Sequence, residues 1–229
     1  MTLPADLLDH IAALIDSKEP ANDFIYEYVF TDSTWFPLQR RNELRWMLKI
    51  AQRVEAKTIF EIGADKAGTL FHWCKLPGVE RVICCENRGT PYAALFEQAF
   101  PHIQFLWLAE SSYAPQTISR VKNWLNGTKI DMLFIDGDKG AFPKDFNAYK
   151  PFCRQGGVIF LHDLYDAEPG EDVLKILRTH QGQSLRIVDT TESVEAVLNI
   201  SSTQESSWSH DSWLRHWRGA SAGVGVVFL

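Results

Sequence analysis

The stretch IDMLFIDGDKGAFPKDFNAYKPFCRQGGVIFLHDL, residues 130–164, reads as two buried strands, Ile130 to Ile135 and Val158 to Leu161, with a helix-length connection between them. Neither apolar run alternates as a half-exposed strand does. Both faces of each strand are therefore covered, which is how strands of a parallel sheet look when helices lie on both sides. Each run stops at polar groups, IDGDK after the first and HDL after the second. In an open α/β sheet, ligands bind outside the carboxyl ends of the strands. Asp136, Asp138, Lys139, His162 and Asp163 thus fall at one edge of adjacent strands. Three carboxylates and an imidazole so placed repel one another when ionised, unless a cation lies among them or some of their pKa values rise. Carboxylate-rich oxygen ligation fits Mg²⁺ or Ca²⁺, and the imidazole tilts the set toward Mn²⁺ or a softer metal. The competing reading has Asp136 and Asp163 capping the turns and helices that follow.

Working outward, the same alternation continues upstream. Thr58 to Ile62, Arg81 to Cys85 and Ile103 to Leu108 are short β-rich runs separated by helical patterns. Strand alternating with helix predicts a parallel sheet with right-handed crossovers. Before them, Leu3, Leu7, Leu8, Ile11, Leu14 and Ile15 predict a helix over the first 18 residues. A second helix is predicted from Leu38 to Val54, with an apolar stripe of Leu44, Met47, Leu48, Ile50, Ala51 and Val54. Downstream, Leu185 to Asp189 and Gly223 to Leu229 look like two last strands. Between them lies a Ser-rich stretch with Trp208, Trp213 and Trp217, which reads either as a surface loop with a short helix or as a lid over a flat organic ligand.

The turn after the first strand, EIGADKAGT, carries Glu61, Gly63, Asp65, Gly68 and Thr69. Its glycines allow a tight turn and close backbone approach to a ligand. A phosphate-binding P-loop needs Lys after the second Gly of GxxxxG, and here Thr69 follows Gly68. The dinucleotide fingerprint needs a middle Gly, and here Asp65 would repel a pyrophosphate. An acid at Glu61 suits a ligand with an amino group. The second strand ends in Glu86, placed as an acid that accepts from a ribose 2′-OH, or else a solvated strand-end carboxylate. Glu110 and Ser111, after the third strand, would lie beside the base of a nucleoside so bound.

Composition narrows the classes of function. The 229 residues hold 23 Lys+Arg against 29 Asp+Glu, a formal charge of −6, and no basic cluster longer than Arg40-Arg41. A nucleic-acid partner is thereby disfavoured. No apolar run approaches the length of a membrane span, and the first 20 residues lack the basic and apolar regions of a secretory leader, so the expected location is the cytoplasm. The four cysteines form no metal-binding spacing and read as buried thiols.

With these residues in view, the chain resembles class I S-adenosylmethionine-dependent methyltransferases, and among them the metal-dependent small-molecule O-methyltransferases of the catechol, caffeoyl-coenzyme A and antibiotic-sugar types. The resemblance implies a Rossmann-like, doubly wound, seven-stranded α/β sheet, mostly parallel with an antiparallel last strand. It divides the chain into an N-terminal helical cap over 1–55 and a methyltransferase domain over 56–229, with a Trp-rich loop at 201–222. It implies S-adenosylmethionine on Glu61, Gly63, Ala64, Gly68, Thr69, Glu86, Asn87, Glu110, Ser111 and Asp136, and Mg²⁺ or Mn²⁺ on Asp136, His162 and Asp163. Asp138 matches the general base of the sugar-modifying members and Lys139 the catalytic lysine of the catechol type. His162 is a third candidate base, and it stands where metal-dependent members more often carry a carboxylate. The implied reaction is methyl transfer to a hydroxyl of a small molecule.

Two other classes compete. A nicotinamide-dependent oxidoreductase or epimerase on a similar sheet would show a Tyr-xxx-Lys pair, yet Tyr92, Tyr113 and Tyr149 have no Lys four residues on. A nucleoside-binding regulatory protein that had lost its chemistry would show degraded strand ends, and here all five carry polar groups. Phe24, Tyr26, Tyr28, Phe30, Trp35 and Phe36, with the Trp-rich loop, point to an aromatic or glycosidic acceptor. Ordinary packing or a homodimer interface is the competing reading of those aromatics.

Overall fold

The structure is a computed structural model that describes residues 39, 41–164, 169–180, 184–187 and 223–229. The expected first helix, the aromatic segment before residue 39 and the Trp-rich loop lie outside the described residues. In chain order the elements are α1 (Arg41–Arg53), β1 (Thr58–Ile62), α2 (Gly68–Cys74), β2 (Arg81–Cys85), α3 (Ala93–Ala99), β3 (Gln104–Leu108) and α4 (Pro115–Leu125). They continue with β4 (Ile130–Ile135), α5 (Phe142–Tyr149), β5 (Cys153–Leu161), α6 (Pro169–Thr179), β6 (Ser184–Ile187) and β7 (Val224–Phe228).

The strands form one sheet in the order β3-β2-β1-β4-β5-β7-β6. Neighbours from β3 through β5 are parallel, whereas β7 runs antiparallel to both β5 and β6. The chain steps outward from β1 to β2 and β3, then returns to the other side of β1 with β4. The order therefore reverses between β1 and β4, and their carboxyl ends bound the crevice where such sheets take ligands.

Strand β5 begins at Cys153, earlier than the sequence reading of Val158. Cys153 pairs with Ile130 and the register then shifts before Met132 meets Val158. Gln155 and Gly156 at this irregularity are exposed, so the CRQGG stretch lacks the apolar signature of a strand. β3, at the sheet edge, starts at Gln104 and keeps Phe105, Leu106 and Trp107 only half-buried.

Apolar side chains pack on both faces of the sheet. α1, α2 and α3 place Leu44, Met47, Trp73 and Phe96 on one face with Phe134 and Phe160. Trp73 has no solvent exposure and stacks on Phe160 with an interplanar angle of 2°. α4, α5 and α6 cover the other face with Val121, Phe142, Phe146, Val173 and Leu177. Burying one such side chain contributes about 1.5–3 kcal/mol, so the two faces together set a rigid frame behind the crevice. All four cysteines are buried free thiols. Among the described residues no helix is long and apolar enough to cross a membrane.

Candidate active site at the carboxyl edge of the sheet

The turn after β1 is shaped by backbone conformation. Gly63 has φ +86°, and a Cβ there would overlap the carbonyl of Asp136 on the neighbouring strand end. Only glycine lets β1 and β4 approach so closely. Asp65 and Ala67 also take left-handed φ, at 43° and 63°, although neither is glycine. Such residues each cost about 1–3 kcal/mol and cluster at functional sites. Ala67 leads into α2, where Gly68 and Thr69 are buried. Ala64 is buried within the turn.

Glu61 points its carboxylate into this region with 1% exposure, and its Oε2 has no hydrogen-bond partner. Burial first, then the charges of Asp136 and Glu86, push its pKa well above the ordinary carboxylate range. A buried acid with an open oxygen awaits a donor or a positive charge. Glu86, 8% exposed, takes the Asp65 backbone N–H on Oε2 at 3.1 Å and the Arg88 N–H on Oε1 at 3.1 Å. Arg88 then bridges outward to Asp65 at 3.2 Å from a largely exposed position. Asn87 is exposed in the turn beyond.

The two residues expected beside the base of a nucleoside are treated differently by the fold. The Glu110 carboxylate turns to α4, accepting from Thr117 Oγ1 at 2.9 Å and pairing with Arg120. Ser111 keeps a buried hydroxyl with no hydrogen-bond partner.

After β4 and β5 the polar residues converge as their strand positions require. His162 Nδ1 lies 3.1 Å from Asp136 Oδ1 and 3.1 Å from Asp163 Oδ1. Lys139 pairs with Asp163 and stands 3.5 Å from Asp136. One ligand atom from each of Asp136, His162 and Asp163 falls within 4.8 Å of the others. Burial lowers the His162 pKa, but the Asp136 charge and hydrogen bond, aided by Glu43, outweigh burial and the opposing Lys139 charge, for a net rise. Asp163 adopts φ 58°, a further strained residue at this edge. Asp138 does not join the group. It is exposed and caps the short turn of Lys139–Ala141, accepting from Gly140 N–H at 3.2 Å, with the Tyr113 hydroxyl 3.4 Å from its other oxygen.

Two residues of the site were not singled out in the sequence. Gln39 Nε2 donates to Asp136 Oδ2 at 2.7 Å, and its Oε1 accepts from Thr69, so one amide spans the β1 turn and the β4 end. No local pattern marks it. Glu43 has no solvent exposure and accepts the Gly223 N–H at 3.1 Å. A signal for Glu43 was available, since it lies four residues before Met47, an acid on the apolar stripe of α1.

The fold and this edge define a Rossmann-like, doubly wound sheet with an acidic cluster at its switch point. Residues 44–164, more than half of the chain, match the model of a family described as a methyltransferase domain. The chain belongs to that methyltransferase family. No curated protein matches it. Among solved structures it is similar to the O-methyltransferase TomG from Streptomyces achromogenes, involved in tomaymycin synthesis and solved with SAM, at 12% identity and TM-score 0.58, covering 100% of this chain and 99% of that one. It is similar to an O-methyltransferase from Bacillus cereus in complex with SAH at 12% identity and TM-score 0.54, covering 98% and 97%. The MycE methyltransferase of the mycinamycin pathway, solved with Mg and SAH, shares 16% identity over 72% of this chain and 50% of that one, at TM-score 0.54.

Proposed function

We propose that this protein transfers the methyl group of S-adenosylmethionine to a hydroxyl of a small molecule, with assistance from a divalent cation. The observation that carries this reading is the junction of three features at one switch point: the β1 turn with the open Glu61 oxygen, Glu86 on the next strand, and Asp136, His162 and Asp163 beside them. In this reading Glu61, Gly63, Ala64, Gly68, Thr69 and Asp136 receive the amino-acid end of the cofactor. Glu86 and Asn87 receive its ribose. Ser111 lies by the purine, while Glu110, tied to Thr117 and Arg120 of α4, supports that loop.

The donor set fits a divalent cation. Two carboxylates and an imidazole whose buried Nε2 has no hydrogen-bond partner offer hard oxygen ligands and one nitrogen. A bound Mg²⁺ or Mn²⁺ would lower the pKa of a coordinated hydroxyl and orient it. The chain's own residues do the rest. Lys139, paired with Asp163 and near Asp136, is committed to neutralising the cluster. Asp138, exposed at the rim and outside that cluster, is the group we assign to accept the acceptor's proton. His162, wedged between two carboxylates, holds them in place. A sulfonium methyl is already activated, so alignment of the attacking oxygen supplies most of the catalysis, about 7–11 kcal/mol in well-oriented systems. An aromatic or glycosidic acceptor accords with the aromatic segments of the sequence.

Lys139 favours a second reading of the same site, in which its ammonium group is the only cation the acidic cluster needs. Calorimetric titration with S-adenosylhomocysteine, in Mg²⁺ and again in chelator with NAD as control, tests the proposal. Micromolar binding of S-adenosylhomocysteine without NAD binding is expected, with turnover lost in chelator and restored by Mg²⁺. Turnover indifferent to chelator would leave Lys139 as the cation, and NAD binding would overturn the methyltransferase assignment.

A further inference from the structure

Asp145 is fully buried in the middle of α5, away from the acidic cluster. Its Oδ1 accepts from Ser112 Oγ at 2.6 Å, and its Oδ2 has no hydrogen-bond partner. Tyr149, four residues on along the same buried face, donates its hydroxyl to the Ser112 carbonyl. Both polar ends of Ser112 are thus held by α5. Its neighbours in the loop after β3 are also tied. Glu110 is bound to α4, and the Tyr113 hydroxyl reaches Asp138. Ser111, between them, has the open buried hydroxyl. Buried polar atoms without partners cost stability, so a loop selected for stability alone would close them. Here the open hydroxyl sits directly beside the residue that a buried carboxylate clamps.

We propose that Asp145 is a positioning residue for the purine end of the cofactor, fixing Ser112 so that Ser111 presents its hydroxyl to the base. This rests on the cofactor reading above. Asp145 acts through Ser112 and touches no reacting atom. Its carboxylate form makes the stronger, charge-assisted bond to the Ser112 hydroxyl.

Burial pushes the Asp145 carboxyl up to about 6, the Ser112 bond pulls it down, Asp138 raises it and Lys144 lowers it. The other groups facing this spot are Cys85 from β2, pushed up to about 12 chiefly by burial, and the Tyr149 phenol, pushed up by burial too; both stay neutral near pH 6. Glu110 and Arg120 are paired with each other. Just past α6, His180 packs on Phe146 and meets Lys150. As pH falls through about 6, Asp145 takes up a proton, the clamp on Ser112 weakens and cofactor affinity declines.

The test is calorimetric titration of S-adenosylhomocysteine into the wild type, Asp145→Asn, Ser112→Ala and Ser111→Ala across about pH 5 to 8. Wild-type affinity is expected to fall about tenfold from the top of this range to the bottom, in line with loss of one charge-assisted bond. Asp145→Asn and Ser112→Ala should bind more weakly than the wild type at the top of the range and show a shallower slope, the remainder being that of Glu61, which both variants keep. Ser111→Ala should lose affinity at every pH. Should Asp145→Asn fail to fold, Ser112→Ala carries the same comparison. A wild-type pH profile and affinity in both Asp145→Asn and Ser112→Ala would overturn the positioning role while leaving cofactor binding intact. A wild type that does not bind S-adenosylhomocysteine would overturn the cofactor reading and this assignment with it.

Discussion

Strand β4 carries an aspartate at each end, and the two are used in opposite ways. At the amino end, Asp131 has every oxygen engaged: Oδ2 accepts the Lys57 and Thr58 N–H groups at 2.8 and 2.7 Å, and Oδ1 pairs with Arg154, which also reaches the Val54 carbonyl. That cluster joins the entry of β1 to β5 and leaves nothing open. At the carboxyl end, Asp136 sits among His162, Asp163, Lys139 and the open oxygen of Glu61, beside residues in left-handed backbone conformations. The amino end holds the sheet together, whereas at the carboxyl end Asp136 is engaged by Gln39 and Lys139 while Glu61 and His162 keep open buried atoms, at a cost in stability, ready for a ligand.

Four substitutions sharpen or break this contrast. The largest effect is expected at the carboxyl end: Asp163→Ala should cut methyl transfer by about a thousandfold, with melting temperature nearly unchanged. Turnover kinetics beside thermal melts give the answer, and a variant that unfolds with its activity would make the two ends alike. At the amino end, Asp131→Ala should cost about 3 kcal/mol in denaturant unfolding, because Arg154 and two backbone N–H groups lose their partner, while affinity for S-adenosylhomocysteine holds. Glu61→Gln comes next, weakening that affinity about tenfold. Its carboxyl has a raised pKa in the fold, so the ionised form penalises the native state increasingly as pH rises above the ordinary carboxylate range. Glu61→Gln should therefore melt higher than wild type at pH 8, and the gap should close as pH falls into that range; a lower melting point at pH 8 would show the acid to be structural. The smallest change is Arg88→Ala. The Arg88 guanidinium is largely exposed in its pairs with both Asp65 and the buried Glu86, and Glu86 keeps two backbone N–H donors, so unfolding free energy should move by less than about 0.5 kcal/mol.

The contrast also explains what could be read from the sequence. Continuous apolar runs ending in IDGDK and HDL fixed both the parallel strands and the residues at their carboxyl edges, because burial on two faces and loop position are local properties. β5 hid its first half, since the irregular register at Cys153 to Gly157 puts polar residues and glycines inside a strand. The partners were the harder part. Glu110 reads as a ligand contact by position, and its carboxylate partners, Thr117 and Arg120, sit on the helix packed beyond it, where no spacing rule points. Asp136 was open to reading as a turn cap, but in the turn after β4 the capping falls to Asp138. Gln39 and Asp131 find their partners through tertiary packing across 97 and 74 residues, a separation that no spacing rule reports.

One further consequence follows from the position of β7 between β5 and β6. Among the described residues β6 pairs with β7 alone, so residues 184–187 join the sheet through residues 224–228. During synthesis, β5 keeps a bare hydrogen-bonding edge, flanked by buried Val158, Ile159, Phe160 and Leu161, while the intervening chain emerges. Such an edge is a template for intermolecular pairing. The last strand to arrive thus sets the period during which the nascent chain is most exposed to aggregation, and slowing its insertion by substituting Val226 or Val227 should lower soluble yield more than it lowers the stability of the finished fold.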